Sequence, residues 1–180
     1  MKFARSLAAA ALAGMAATSG AAQEGAASPA TSAAQQTAAA QLPADGTRDA
    51  EFSRRGFLAT RSDPIIAGAN GKPVWNLAAY AFVDGAAPDT VHPSLWRHMS
   101  YLRHHGLYQV TDNVWQVRGF DLSNMTIIRG ATGWIVIAPL TSVETARAAM
   151  ELVNTTLGQR PVSAVIYSHS HADHFGGVRG

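Results

Sequence analysis

Tyr167-Ser168-His169-Ser170-His171-Ala172-Asp173-His174-Phe175-Gly176-Gly177 places three imidazoles and a carboxylate within six consecutive positions. Imidazole and carboxylate together are the donor set of a first-row metal, most naturally zinc. In an extended segment, residues two apart point to the same side, so His169 and His171 can close on one ion. Asp173 and His174 follow where the chain must turn and can face a second ion beside the first. Two ions about 3.5–4 Å apart would polarise a substrate oxygen and supply hydroxide near neutral pH. Asp173 is the candidate catalytic residue as well as a candidate ligand. The apolar run Val162–Ile166 reads as a buried strand delivering the tract, and Gly176 and Gly177 let backbone pass close by without a Cβ. A hydrated, metal-free histidine turn would need neither feature.

The preceding elements read as the frame of that strand. Thr141-Ser142-Val143-Glu144 is a capping box opening a helix. Val143, Ala146, Met150, Val153 and Leu157 share one face of this helix, and Gly158 ends it. Two hairpins come before it: residues 107–110 with 114–117, turned by Thr111-Asp112-Asn113, and Met125–Arg129 with Trp134–Ile137, turned by residues 130–133. A further helix is expected over residues 93–105, with Pro93 in its first turn and Gly106 as its stop. Its apolar face is Leu95, Met99 and Leu102. His98, His104 and His105 read as solvated side chains, the last two near the negative helix end, rather than as ligands. Residues 50–82 read as an extended arm with a short strand or two.

Residues 1–22 have the order of a secretory signal peptide: basic Lys2 and Arg5, an apolar stretch from Leu7 to Ala17, then small residues before Gln23. The apolar stretch is too short for a bilayer span of about 20 residues. The expected destination is the periplasm or the exterior. Arg54-Arg55 lies too far into the chain, and is followed too soon by Arg61, Asp63 and Pro64, to be a twin-arginine export signal. Without the leader, twelve basic and twelve acidic side chains remain. Neither that balance nor any basic stripe with interleaved aromatics favours nucleic acid. There are no cysteines, which excludes disulfides and thiolate ligands. Residues 23–49, rich in Ala, Gln, Ser and Thr, read as a disordered linker. Residues 50–180 read as a metal-binding domain.

The metal tract resembles the signature of the metallo-β-lactamase superfamily. Residues 89–97, with Val91-His92-Pro93, residues 117–126, with Gly119-Phe120-Asp121-Leu122-Ser123-Asn124-Met125, and Arg160-Pro161-Val162 resemble its alkyl sulfatase branch. The resemblance implies an α+β fold, the first half of an αββα sandwich with the site along its edge. It implies two zinc ions, one on His169 and His171 and one on Asp173 and His174. It also implies hydrolysis of small alkyl sulfate esters such as dodecyl sulfate, and a homodimer formed by a segment further along than Gly180. Four donors cannot complete two zinc sites, so the chain is expected to be the front portion of such an enzyme and inactive alone. Other superfamily activities (lactone, thioester or β-lactam hydrolysis) and a degenerate non-catalytic product are the alternatives. Two positions depart from the branch: Ala138 where an aspartate usually precedes Pro139, and His92 where asparagine is usual. The missing aspartate is expected to weaken support of the metal loop.

Overall fold

The computed structural model describes residues 25–44 and 47–180; the signal-peptide reading of residues 1–22 lies outside them. The first element corrects the linker reading. Pro29–Gln41 forms helix α1, with Ser28 as its cap accepting the Thr31 N–H at 3.1 Å and proline at its start. Alanine is the strongest helix former, and proline costs nothing at the first position. The same small residues that cannot build a core can therefore hold a helix, and α1 accordingly buries no residue. It is tied down by polar contacts, Ser32 donating to Asp89 at 2.9 Å.

Helix α2 (Thr47–Arg54) leads into the arm, which contains three short strands: β1 (Phe57–Ala59), β2 (Ile65–Ala67) and β3 (Pro73–Asn76). β2 and β3 pair with each other, whereas β1 joins the main sheet. Helix α3 (Pro93–Leu102) stops earlier than expected, because Gly106 is not its terminus but the first residue of a strand paired with Arg118. His92 caps α3, its Nδ1 accepting the Ser94 N–H at 3.2 Å. Asparagine does this elsewhere by the same chemistry, so the His92 departure is conservative in role.

Both hairpins form as expected: β4 (Gly106–Thr111) with β5 (Val114–Arg118), and β6 (Met125–Arg129) with β7 (Trp134–Ile137). Helix α4 (Val143–Leu157) then crosses to β8 (Val162–Ile166), parallel to β7. The six-stranded sheet runs β1-β4-β5-β6-β7-β8, antiparallel except for that last pair. Alternate residues Trp115, Val117, Met125, Ile127, Trp134 and Val136 enter the core with Ala146, Ala149, Leu152 and Val153 of α4. The Trp115 and Trp134 rings meet edge to face at 5.8 Å, a favoured aromatic geometry. The capping box is one residue later than read. Ser142 is the cap, exchanging hydrogen bonds with Thr145 at 3.1 and 3.3 Å, and the buried face of α4 is turned to include Thr145, Ala148 and Leu152.

The strand that delivers the metal tract is not buried. All five residues of β8 are exposed, Val162 and Ile166 at 48%. β8 is the edge of the sheet, and α4 packs toward β1, β2 and β3. The mixed helix and sheet composition is α+β, as the sequence implied.

Candidate metal centre

Two loops meet beyond the C-terminal ends of the parallel strands β7 and β8: residues 138–142 and residues 167–180. The second contains a single 3₁₀ turn, Ala172–His174. Gly177 N–H donates to the Leu140 carbonyl at 2.9 Å. A Cβ on Gly176 would stand 2.2 Å from the Thr141 carbonyl oxygen, and one on Gly177 2.2 Å from that of Pro139. The glycine pair therefore allows close approach, but to the neighbouring loop rather than to the donors. Here the structure redirects the sequence reading.

A buried carboxylate fastens the same junction. Asp121 accepts the Thr141 N–H at 3.0 Å, the Thr145 hydroxyl at 2.7 Å, and the Thr141 hydroxyl. Its neighbour Ser123 donates to the carbonyl of Asp173. The turn between β5 and β6 thus holds both the start of α4 and the backbone of the metal tract. Sequence reasoning singled out this segment for its resemblance and gave it no structural role. The signal available was a lone carboxylate beside Phe120 and Leu122, which must find donors if buried.

The four candidate donors come together as two pairs. His169 Nε2 lies 3.1 Å from His171 Nδ1, and His174 Nε2 lies 3.1 Å from Asp173 Oδ2. Two atoms bound at about 2.0–2.1 Å to one tetrahedral zinc would be separated by roughly 3.3 Å, so each pair has a spacing one ion can bridge. The rings of His169 and His174 are 4.0 Å apart, bringing the pairs into one cluster. Ser168, unassigned by the sequence reading, joins them: its hydroxyl is 3.1 Å from Nδ1 of both His169 and His174. That leaves both Nε2 atoms on the donor side, the usual arrangement in which a second partner orients a ligating histidine. Among the described residues no group of three or more donors is placed to hold one metal ion. The chemistry of the donor set and the spacing within each pair fit a first-row metal such as zinc.

Ala138 and Leu140, in the companion loop, have φ of 54° and 65°. Non-glycine residues adopt this left-handed region at a cost, and aspartate and asparagine do so most readily. Ala138 N–H donates to the Ile166 carbonyl at 3.0 Å, so the strained turn is stitched to the end of β8. An aspartate at 138 would suit this backbone, at the junction with the end of the strand that leads into the donor tract.

The other histidines separate. His98 is exposed on α3. His104 and His105 are not the solvated side chains expected: His104 Nε2 accepts from Arg54 Nε at 3.2 Å, and His105 Nδ1 shares a hydrogen with Thr60 at 2.7 Å. Burial lowers the pKa of both, and for His104 the nearby Arg54 and Arg103 lower it further.

Comparison with known proteins agrees with this architecture. The metallo-β-lactamase superfamily profile matches residues 118–180. The chain is 46% identical over 141 residues to the alkyl/aryl-sulfatase BDS1 of Saccharomyces cerevisiae, covering 78% of this chain and 22% of that protein. It is likewise 46% identical over 142 residues to a linear primary-alkylsulfatase of a Pseudomonas species, covering 78% of this chain and 21% of that one. The solved structure of the stereoselective inverting sec-alkylsulfatase Pisa1 from Pseudomonas superimposes with a TM-score of 0.82 at 43% identity, over 86% of this chain and 24% of that one. The chain belongs to the alkylsulfatase branch of the metallo-β-lactamase superfamily. It spans about a fifth of the length of these curated alkylsulfatases. Its fold is the corresponding part of a metallo-β-lactamase-fold alkylsulfatase.

Proposed function

We propose that this chain carries the first metal motif of a zinc-dependent hydrolase acting on alkyl sulfate esters, dodecyl sulfate among them. The observation that supports this reading is the pairing of His169 with His171 and of Asp173 with His174, joined through Ser168. Each pair would hold one of two zinc ions. Zinc, when bound, would polarise the ester and bring water to a pKa of about 7. The protein's own part is positional. Ser168 holds two imidazoles with Nε2 outward, and Ser123 holds the Asp173 backbone. Asp173 Oδ2 faces His174, leaving Oδ1 to accept a proton from the attacking water. The named relatives are alkylsulfatases, which supports a small sulfate ester as substrate. Export behind residues 1–22 and dimerisation of the whole enzyme belong to the same proposal.

Catalytic zinc is held by about three protein ligands plus water, and the four donors here provide two per ion. The 180 residues on their own should therefore bind zinc weakly and release no measurable sulfate from dodecyl sulfate. Calorimetry should show zinc uptake from which His169→Ala/His171→Ala removes one site. Equal uptake by the double variant would refute the ligand assignment, and zinc-dependent sulfate release above that variant's blank would refute the inactivity of these residues alone.

A further inference from the structure

A second polar cluster lies at the opposite edge of the sheet. Arg54, Phe57, Thr60, Arg103, His104, His105 and Tyr108 line a cavity of about 500 Å³. No carboxylate is among them. Every neighbouring group that acts electrostatically on His104 is a cation or can become one: Arg54, Arg103 and His105. The nearest acid to the cluster in the ion-pair network is Asp84, 3.3 Å from Arg103 and largely in solvent.

The hydrogen bonds fix what the cluster can offer. Arg54 donates to His104 Nε2, so the neutral ring carries its proton on Nδ1. Thr60 is bonded at His105 Nδ1, leaving His105 Nε2 as the remaining polar atom of that ring. The Arg54 Nη groups are not used in this contact. The positions are also set in advance. Gly119, at φ +71°, lies so close to His105 that a Cβ there would stand 2.8 Å from the His105 Cβ. The Tyr108 ring is held between Phe57, edge to face at 5.5 Å, and the Arg118 guanidinium at 4.5 Å. A preset, partly desolvated group that carries the Arg54 and Arg103 guanidinium groups, with imidazole N–H beside them and no carboxylate in its lining, is suited to an oxyanion.

We propose that this cavity binds a small tetrahedral oxyanion, sulfate or phosphate, at a site separate from the metal loop. β4 and β8 are four strand positions apart, or roughly 19 Å at about 4.8 Å per strand. The site stands whether or not the metal assignment is right.

The test uses the full chain carrying His169→Ala/His171→Ala, free of zinc, so that anion binding at the metal loop cannot intervene. Its imidazole nitrogens are followed by NMR during titration with sodium sulfate, then phosphate, then acetate, at ionic strength held constant with chloride. Saturable shifts of His104 and His105 with sulfate and phosphate, and weaker response to acetate, are expected. Arg54→Gln and His105→Gln should each weaken sulfate binding about tenfold, the scale of one charge-assisted hydrogen bond. Arg54→Lys, which keeps the charge and loses the fork, should fall between them and the parent. Absence of a saturable shift, an equal response to acetate, or unchanged affinity in the Arg54 and His105 variants would overturn the proposal.

Discussion

Ala138, like Leu140, is a residue at which sequence and backbone disagree. It is 5% exposed with φ at 54°, a conformation that costs an L-residue about 1–2 kcal/mol. Two roles for a replacement can be told apart. Ala138→Gly removes the steric cost alone, and thermal unfolding of the zinc-free protein should show a gain of up to about 1 kcal/mol after the entropic cost of glycine. Ala138→Asp adds a carboxylate at the junction with the end of β8, and calorimetry should show tighter zinc binding than in either the parent or the glycine variant. If zinc binds the aspartate and glycine variants equally, residue 138 supports the loop through its backbone only. The close packing of Gly176 and Gly177 against Pro139 and Thr141 explains how a change in one loop reaches the other.

At the scale of elements, the sequence was most legible where periodicity and turn residues agreed. β6 and β7 fall at the expected residues, and β4 and β5 extend theirs by one or two. Period-two alternation brackets each turn there. The α4 cap slipped by one residue because Thr141 and Ser142 are chemically equivalent candidates; Thr141 is taken by Asp121, a contact 20 residues away that local reasoning does not see. α3 was overextended because Gly106 resembles a helix stop while serving as a strand start. The candidate donors were picked out by residue type and spacing, and the structure brings them together as two pairs, but Ser168, Ser123 and Asp121 act through contacts made only in the fold. The segment after α3 has a consequence for acid stability. Burial lowers the pKa of His104 and His105 below 6.5, and Arg54, Arg103 and His105 add to the effect at His104. Below that value the unfolded chain binds protons that the folded chain resists. Stability is therefore fully present above pH 6.5 and lost as pH falls through the folded pKa values. Urea unfolding across pH 5–8 should show this loss, and His104→Gln/His105→Gln should flatten it. An unchanged pH profile in the double variant would place the acid sensitivity elsewhere.

For the molecule as a whole, stability is unevenly distributed across the sheet. The central strands β5 and β6 bury their core-facing residues almost completely, whereas β8 is exposed along its whole length. β8 is also joined to β7, its partner among the described residues, across the helical crossover rather than by a tight turn. Amide hydrogen exchange should therefore be fastest in Val162–Ile166 and slowest in β5 and β6. Zinc should slow exchange in β8 and the following loop without altering β5. Equal slowing throughout would mean that the sheet opens as one unit.

The parallel β7–β8 seam then sets a clock for the metal. His169 and His171 follow directly on β8, whereas Asp173 is also held by Ser123 and the loop beyond it by Leu140, so peeling β8 would free the first pair before the second. The residence time of a zinc ion on His169 and His171 would then be set by that seam rather than by global unfolding. A zinc-release rate that tracks substitutions along β8 and ignores those in β5 would be the kinetic signature of this arrangement.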